Sequence, residues 1–178
     1  MVVRTSTAEW HGSVQNGGGC VRLGSGAFEG PYSFGSRFEE EPGTNPEELL
    51  GAAHASCFSM ALSLLLTEAG YTPTRIRTLA RVTIERSRNG FGITHIDLET
   101  EGDVPGLDSK GFAVQAEAAK ATCPVSKALA GAEVSLTASL VEKAATIVPR
   151  RSAALRAAQQ ARAHVMTRRG SERLRRAR

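Results

Sequence analysis

Cys57 and Cys123 are the strongest candidates for chemistry in this sequence. Cys57 lies inside the apolar run GTNPEELLGAAHASCFSMALSLLL, and Cys123 lies far downstream in TCPVSKAL. Two cysteines at long separation, without a CxxC, point to thiol redox chemistry more than to metal binding. Burial in an apolar helix would make Cys57 an inert core residue, because it disfavours the thiolate. Cys57 also sits about three turns beyond the expected helix start, out of reach of the N-terminal dipole, which fades within the first turn. A reactive Cys57 therefore needs a cation from elsewhere. Arg37, between Phe34 and Phe38, is the candidate; its plain alternative is a solvent-facing strand arginine. Glu47 could orient that guanidinium through a bidentate pair. It could equally be a first-turn helix acid, a role that Glu48 fits as well.

Cys123 precedes Pro124, which disfavours helical geometry at Cys123 and opens a new helix, so Cys123 is expected to cap PVSKAL. A thiol there is better placed for exposure and makes a good resolving or leaving sulfur; the alternative is a free structural thiol. His54, one turn before Cys57, could act as its base or be a satisfied helix histidine. Cys20, after Gly17-Gly18-Gly19, has no evident partner role. His11, His95 and His164 share no metal-ligand spacing with the cysteines. The glycine run lacks GK[ST] and a following helix, so it is no phosphate loop. Trp10 reads as a core anchor.

The elements that must hold these residues are legible in outline. Short alternating segments around Arg4–Trp10, Gly19–Leu23 and Tyr32–Phe38 predict a small meander with glycine turns. Asn45-Pro46-Glu47-Glu48 combines an N-cap, a proline at the first helical position and acids in the first turn. The helix it opens runs to Ala69, where Gly70 and Pro73 stop it. Ile76–Arg88 alternates as a strand, Asn89-Gly90 signals a hairpin, and Phe91–Glu101 alternates again. A helix near Ser109–Lys120, a short helix from Pro124 and a last strand over Ala132–Val141 complete an α+β order. The expected fold is an antiparallel sheet packed on a long central helix.

Chain length and charge bound the rest. The chain has 178 residues, enough for one domain with a real core. Residues 1–141 carry 11 Lys and Arg against 16 Asp and Glu, a net of −5, whereas 142–178 carry 11 against 2, a net of +9. The organisation expected is thus a mildly acidic domain over 1–141 and a basic Ala/Arg-rich tail over 142–178. The tail reads first as solvated helix or disorder, with nucleic-acid contact as the sharper alternative. MVVRTSTAEW has no apolar signal-peptide core. Leu49–Leu66 is interrupted by His54, Ser56, Cys57, Ser59 and Ser63, so it reads as a core helix and not a membrane span, which needs about 20 predominantly apolar residues. Three cysteines without an export signal favour a reducing compartment, with the cytoplasm as default.

The segments AEWHG, PYSFGSRFE, GTNPEELLGAAHASCFSMALSLLL and ATCPVSKAL resemble the OsmC/Ohr family of organic hydroperoxide resistance proteins, its OsmC branch in particular. The resemblance spans about residues 7–141 and leaves the tail out. It implies a thiol peroxidase of two intertwined α+β subunits acting in oxidative and osmotic stress, with no metal or bound cofactor. By position, Cys57 matches the peroxidatic cysteine, Cys123 the resolving one, Arg37 the activating arginine and Glu47 the acid that orients it. The implied partners are an organic hydroperoxide, a homodimeric second copy and an external dithiol reductant of lipoyl type.

One geometric expectation stands apart from the family. Glu47 and Cys57 are ten residues apart, about 15 Å along a continuous helix. Either the helix breaks, at Gly51 for example, or a second subunit completes the site. The second is expected, with Arg37 and Glu47 of one chain facing Cys57 and Cys123 of the other. Two further functions compete: a Cys–His hydrolase or acyl transferase using Cys57 and His54, and a non-catalytic binding module acting through the basic tail.

Overall fold

The computed structural model describes residues 1–88 and 90–141, and Met1–Val141 forms one compact unit. The tail expectations, His164 and the Asn89 half of the hairpin signal lie outside the described residues. The first sheet is the expected meander: β1 (Ser6–His11), β2 (Gly18–Leu23) and β3 (Glu29–Ser33), paired antiparallel in chain order. It is thin and mostly exposed. In β1 only Trp10 is partly covered, and its ring stands 5.3 Å from that of Tyr32. Trp10 is thus a surface pair on the meander and not the core anchor expected from its type.

The segment expected to extend the meander through Phe38 turns into a short helix instead, α1 (Phe34–Phe38). The reason is local. Ser33 and Ser36 form a reciprocal capping box, with Ser36 N–H donating to Ser33 Oγ at 3.0 Å and Ser33 N–H to Ser36 Oγ at 2.8 Å. Ser36 is buried, and its hydroxyl donates to the Thr44 carbonyl at 2.8 Å, while Asn45 Nδ2 donates to the Ser36 carbonyl at 3.1 Å. These bonds tie α1 to the start of the next helix.

That helix, α2 (Pro46–Glu68), begins as the sequence dictates: the Asn45 side chain accepts from Glu48 N–H at 2.8 Å and Pro46 occupies the first turn. It runs unbroken through Gly51 and ends at Ala69, where Gly70 takes a positive φ of 87° that an L side chain rarely adopts. By length and composition alone α2 could cross a bilayer. His54, Phe58, Leu62 and Leu66 share its buried stripe. Met60 and Leu64, on another face, are 75% and 59% exposed.

The second sheet supplies the main core. β4 (Arg75–Ser87) and β5 (Gly90–Asp103) pair antiparallel, with a register shift between Thr83 and Ile84. β6 (Glu133–Leu140) lies on the other side of β5 and runs parallel to it. The sheet is therefore mixed and not purely antiparallel. The cause is the crossover over residues 104–132, which carries α3 (Ser109–Thr122) and α4 (Pro124–Ala128) and returns the chain to the starting end of β5. Period-two alternation puts Ile76, Thr78, Ala80 and Val82 of β4 beside Gly102, Thr100, Leu98 and Ile96 of β5, which face Leu140, Ala138, Leu136 and Val134 of β6. Ion pairs mark the other face, among them Arg75–Glu101 and Arg81–Glu99. A sheet with one charged face needs cover on the apolar one only, and α2 and α3 provide it: Phe58, Leu62, Leu66, Phe112, Ala116, Ala119 and Leu98 form one cluster. Gly102 permits the close approach, because a Cβ there would lie 2.4 Å from the Phe112 ring.

Candidate functional site

α3 ends where α4 begins, and Cys123 is the hinge between them. Its N–H still bonds to the Ala119 carbonyl at 2.8 Å, closing α3, while its own φ of −55° and ψ of 122° leave helical geometry before Pro124. This is the helix-capping position read from the sequence. Its exposure is the reverse of the expectation: Cys123 is fully buried within the core cluster, whereas Cys57 is only partly buried and packs against that cluster. The physical reason is the packing of α4 beneath α2, which tucks the α3–α4 junction inward and leaves the Cys57 flank of α2 at the edge.

The two sulfurs are near enough for each to shift the other's ionisation, although the chain separates them widely. Burial pushes the Cys57 thiol up; the Val125 N–H works against that, and the neighbouring Cys123 sulfur adds to it. Burial would also push Cys123 up, yet the Ser126 N–H, the Cys57 thiol, the Ser126 hydroxyl and the Val125 N–H together bring it below its ordinary value. Within one chain, then, burial and the neighbouring sulfur raise the Cys57 thiol, while the groups at the start of α4 lower that of Cys123. That contrast suits a leaving or resolving thiol at Cys123, and it leaves Cys57 in need of a cation.

Arg37 and Glu47 form an ion pair that bridges α1 and α2. Arg37 Nη2 donates to Glu47 Oε1 at 2.7 Å and Nε donates to Oε2 at 3.2 Å, a forked geometry that fixes the guanidinium plane. Glu47 is buried, while the Arg37 side chain is 36% exposed, so its carboxylate partner is held and its outer edge is open. The capping box and the Asn45 bonds described above are what bring the two residues together. Arg37 also lines a cleft of about 280 Å³ with Trp10, Tyr32, Phe34, Phe38 and Pro46. Phe38 lies tilted against both Phe34 and Phe91, each at 4.9 Å between ring centres, and carries the Arg37 guanidinium at 5.1 Å from its own. Of the apolar residues near Cys57 in sequence, Phe58 points into the core and Met60 to the surface.

The structure thus gathers the four expected residues into two pairs, Cys57 with Cys123 and Arg37 with Glu47. It does not join the pairs within one chain, since Glu47 and Cys57 ride one unbroken helix about 15 Å apart.

His54 does not serve Cys57. Its Nε2 lies 2.8 Å from Ser126 Oγ, and its Nδ1 has no hydrogen-bond partner. Ser126 is the residue that the sequence reading missed. The signal was available in part: a hydroxyl three residues after an N-cap faces back toward it. Its bond to His54 crosses 72 positions of sequence, which no local pattern could reveal. Cys20 is exposed on β2, near Glu29, and remains apart from both pairs. Among the described residues no cluster of three or more His, Cys, Asp or Glu could hold a metal ion.

Residues 38–139 match the family model of OsmC-like proteins. Peroxiredoxin OsmC of Escherichia coli (strain K12) is 53% identical over 130 residues, covering 72% of this chain and 90% of that protein. The organic hydroperoxide resistance protein of Xanthomonas axonopodis pv. citri (strain 306) is 33% identical over 97 residues, or 53% of this chain and 66% of that one. A crystal structure of an organic hydroperoxide resistance protein OsmC from Legionella pneumophila superposes with a TM-score of 0.60 at 22% identity, covering 79% of this chain and 98% of that one. At that identity the superposition speaks for the fold.

Proposed function

The chain belongs to the OsmC-like family and is a peroxidase, and on that premise we propose that it reduces organic hydroperoxides through Cys57 in a site shared by two copies of the chain. The observation that carries this reading is the nearness of Cys57 to Cys123, a sulfur pair in which one partner already bears the features of a resolving thiol. The missing cation for Cys57 is Arg37 of the partner subunit. Three features support a second copy. The Arg37–Glu47 pair is held away from the thiols of its own chain, α2 leaves Met60 and Leu64 uncovered, and the first sheet buries little of itself.

In this cycle the guanidinium stabilises the Cys57 thiolate and opposes the effect of burial on it. The thiolate attacks the distal oxygen of ROOH, the O–O bond breaks, and the alkoxide leaves as ROH after taking a proton. Cys57 becomes a sulfenic acid, Cys123 displaces its oxygen as water, and the resulting disulfide is reopened by an external dithiol. The aromatic lining beside Arg37 favours an alkyl or fatty-acid hydroperoxide over hydrogen peroxide. A lipoyl-type dithiol is the proposed donor, the cytoplasm the proposed compartment and peroxide stress the proposed setting. No cofactor is needed, because both redox atoms belong to the chain. The hydrolase alternative loses its base, because His54 bonds to Ser126 and not to Cys57.

The test is turnover of cumene, fatty-acid and hydrogen peroxides with dihydrolipoamide or thioredoxin as donor, with mass spectrometry of the thiols after one equivalent of peroxide. A Cys57–Cys123 disulfide and preference for the organic peroxides are expected. Peroxide treatment that leaves Cys57 a free thiol would overturn the proposal.

A further inference from the structure

His54 is fully buried on α2, one turn before Cys57, and neither the sulfur pair nor the Arg37–Glu47 pair uses it. Its ring nevertheless reaches α4: Nε2 lies 2.8 Å from Ser126 Oγ. The opposite nitrogen, Nδ1, is buried without a partner. A neutral imidazole has one N–H and one lone pair. Were the proton on Nδ1, a buried donor would be orphaned, which is rarer in folded proteins than an under-used acceptor. The proton therefore belongs on Nε2, and Ser126 Oγ accepts it. A serine hydroxyl has one proton of its own, and this one is then free for a second acceptor. Ser126 stands three residues after Cys123, the N-cap of α4, and its hydroxyl is among the groups that hold the Cys123 thiol below its ordinary value. Direction follows from counting: His54 Nε2–H to Ser126 Oγ, then Ser126 O–H to Cys123 Sγ.

We propose that His54 is a positioning residue for the closing of the Cys57–Cys123 disulfide, acting through Ser126 to hold Cys123 Sγ as a hydrogen-bond acceptor. The inference rests on the peroxidase cycle above and deepens it. In the closing step a lone pair of Cys123 sulfur attacks Cys57 Sγ of the sulfenic acid. The S–S bond forms, the S–O bond breaks, and oxygen leaves as hydroxide that takes a solvent proton to become water. Cys123 must be anionic for this, and a fixed hydroxyl donor favours that form over the thiol. The same donor meets Cys123 when an external dithiol attacks Cys57 and Cys123 departs as thiolate. The Ser126 hydroxyl alone could rotate onto Cys123 or away from it; His54 removes that choice.

The test uses the full chain in a Cys20→Ser background, with acid-quenched mass spectrometry during a single turnover of cumene hydroperoxide to resolve Cys57 oxidation from disulfide closure. Ser126→Ala and His54→Leu are each expected to slow closure relative to oxidation by roughly tenfold, the size of one hydrogen bond to a charged group. The double variant should be no slower than either single one, and His54→Gln, whose amide can still donate, should restore most of the rate. Closure at the parent rate in His54→Leu, independent additivity of the two substitutions, or failure of His54→Gln to rescue would overturn the relay. A parent protein that forms no disulfide sinks the peroxidase cycle instead. The relay is then read from ultraviolet thiolate absorbance of Cys123 in a Cys20→Ser/Cys57→Ser chain. His54→Leu should lower that absorbance, and equal absorbance overturns the proposal.

Discussion

The region built from β1–β3 and α1 and the region built from α2–α4 and β4–β6 solve different problems. The second holds the core: its sheet alternates between faces, two helices cover the apolar one, and Cys123 sits in that core beside groups that lower its thiol. The first is a mostly exposed meander that offers Arg37, an aromatic cleft and little core of its own. Glu47 links them by standing on α2 while holding a guanidinium of α1. One region therefore stores the sulfurs and the other presents the charge, and α2 keeps the two apart within a chain. On the proposed cycle, this separation would make catalysis depend on assembly.

The largest effects should come from removing one partner from each region. Cys57→Ser should abolish peroxide turnover, while Cys123→Ser should retain one oxidation of Cys57 and then stall; stopped-flow and steady-state rates distinguish them. Arg37→Ala should lower kcat/KM by roughly a hundredfold through loss of the charge on the thiolate. If the site spans subunits, refolding Arg37→Ala together with Cys57→Ser should rebuild about a quarter of the intact sites, since a two-fold dimer of the two variants has one site with both defects and one with neither. Mixtures no more active than their parents would show that the regions cooperate within one chain.

Stability should divide along the same line. Phe112→Ala empties the centre of the sulfur-bearing region and is expected to cost about 3–5 kcal/mol in urea unfolding. Asn45→Ala acts at the link, removing the cap bond to Glu48 N–H for about 1 kcal/mol. It should also raise the mobility of Arg37, visible as weaker hydroperoxide binding.

The smallest effect concerns His54, which burial holds below its ordinary value of about 6.5. The unfolded chain takes up that proton first, so stability is complete above about 6.5 and declines as pH falls toward the folded value. The urea midpoint of the parent should drop over that window more than that of His54→Leu. A midpoint that moved equally in both would remove His54 as the source.

Much of this was legible locally. Asn45-Pro46 announces α2, Gly70 ends it, and the alternation around Val82 and Leu98 assigns each side chain of β4 and β5 to a face. The two departures have different causes, one local and one not. Phe34–Phe38 looks extended by its neighbours, but two serines that bond to each other and to Thr44 make it helical. β6 looks like one more antiparallel strand, because direction is set by a crossover that no short window contains. Ser126 escaped notice because its bond to His54 joins distant segments.

Short stretches of sequence are enough to set the identities and surroundings of the candidate groups: a thiol before proline at a helix start, another deep in an apolar helix, and an arginine and a glutamate ten residues apart. Those follow from backbone preferences acting within a few residues. Which sulfur is buried, which groups surround it and what His54 touches depend on how the helices pack. Those depend on burial and on hydrogen bonds between α2 and α4, and such terms exist only once the helices have packed.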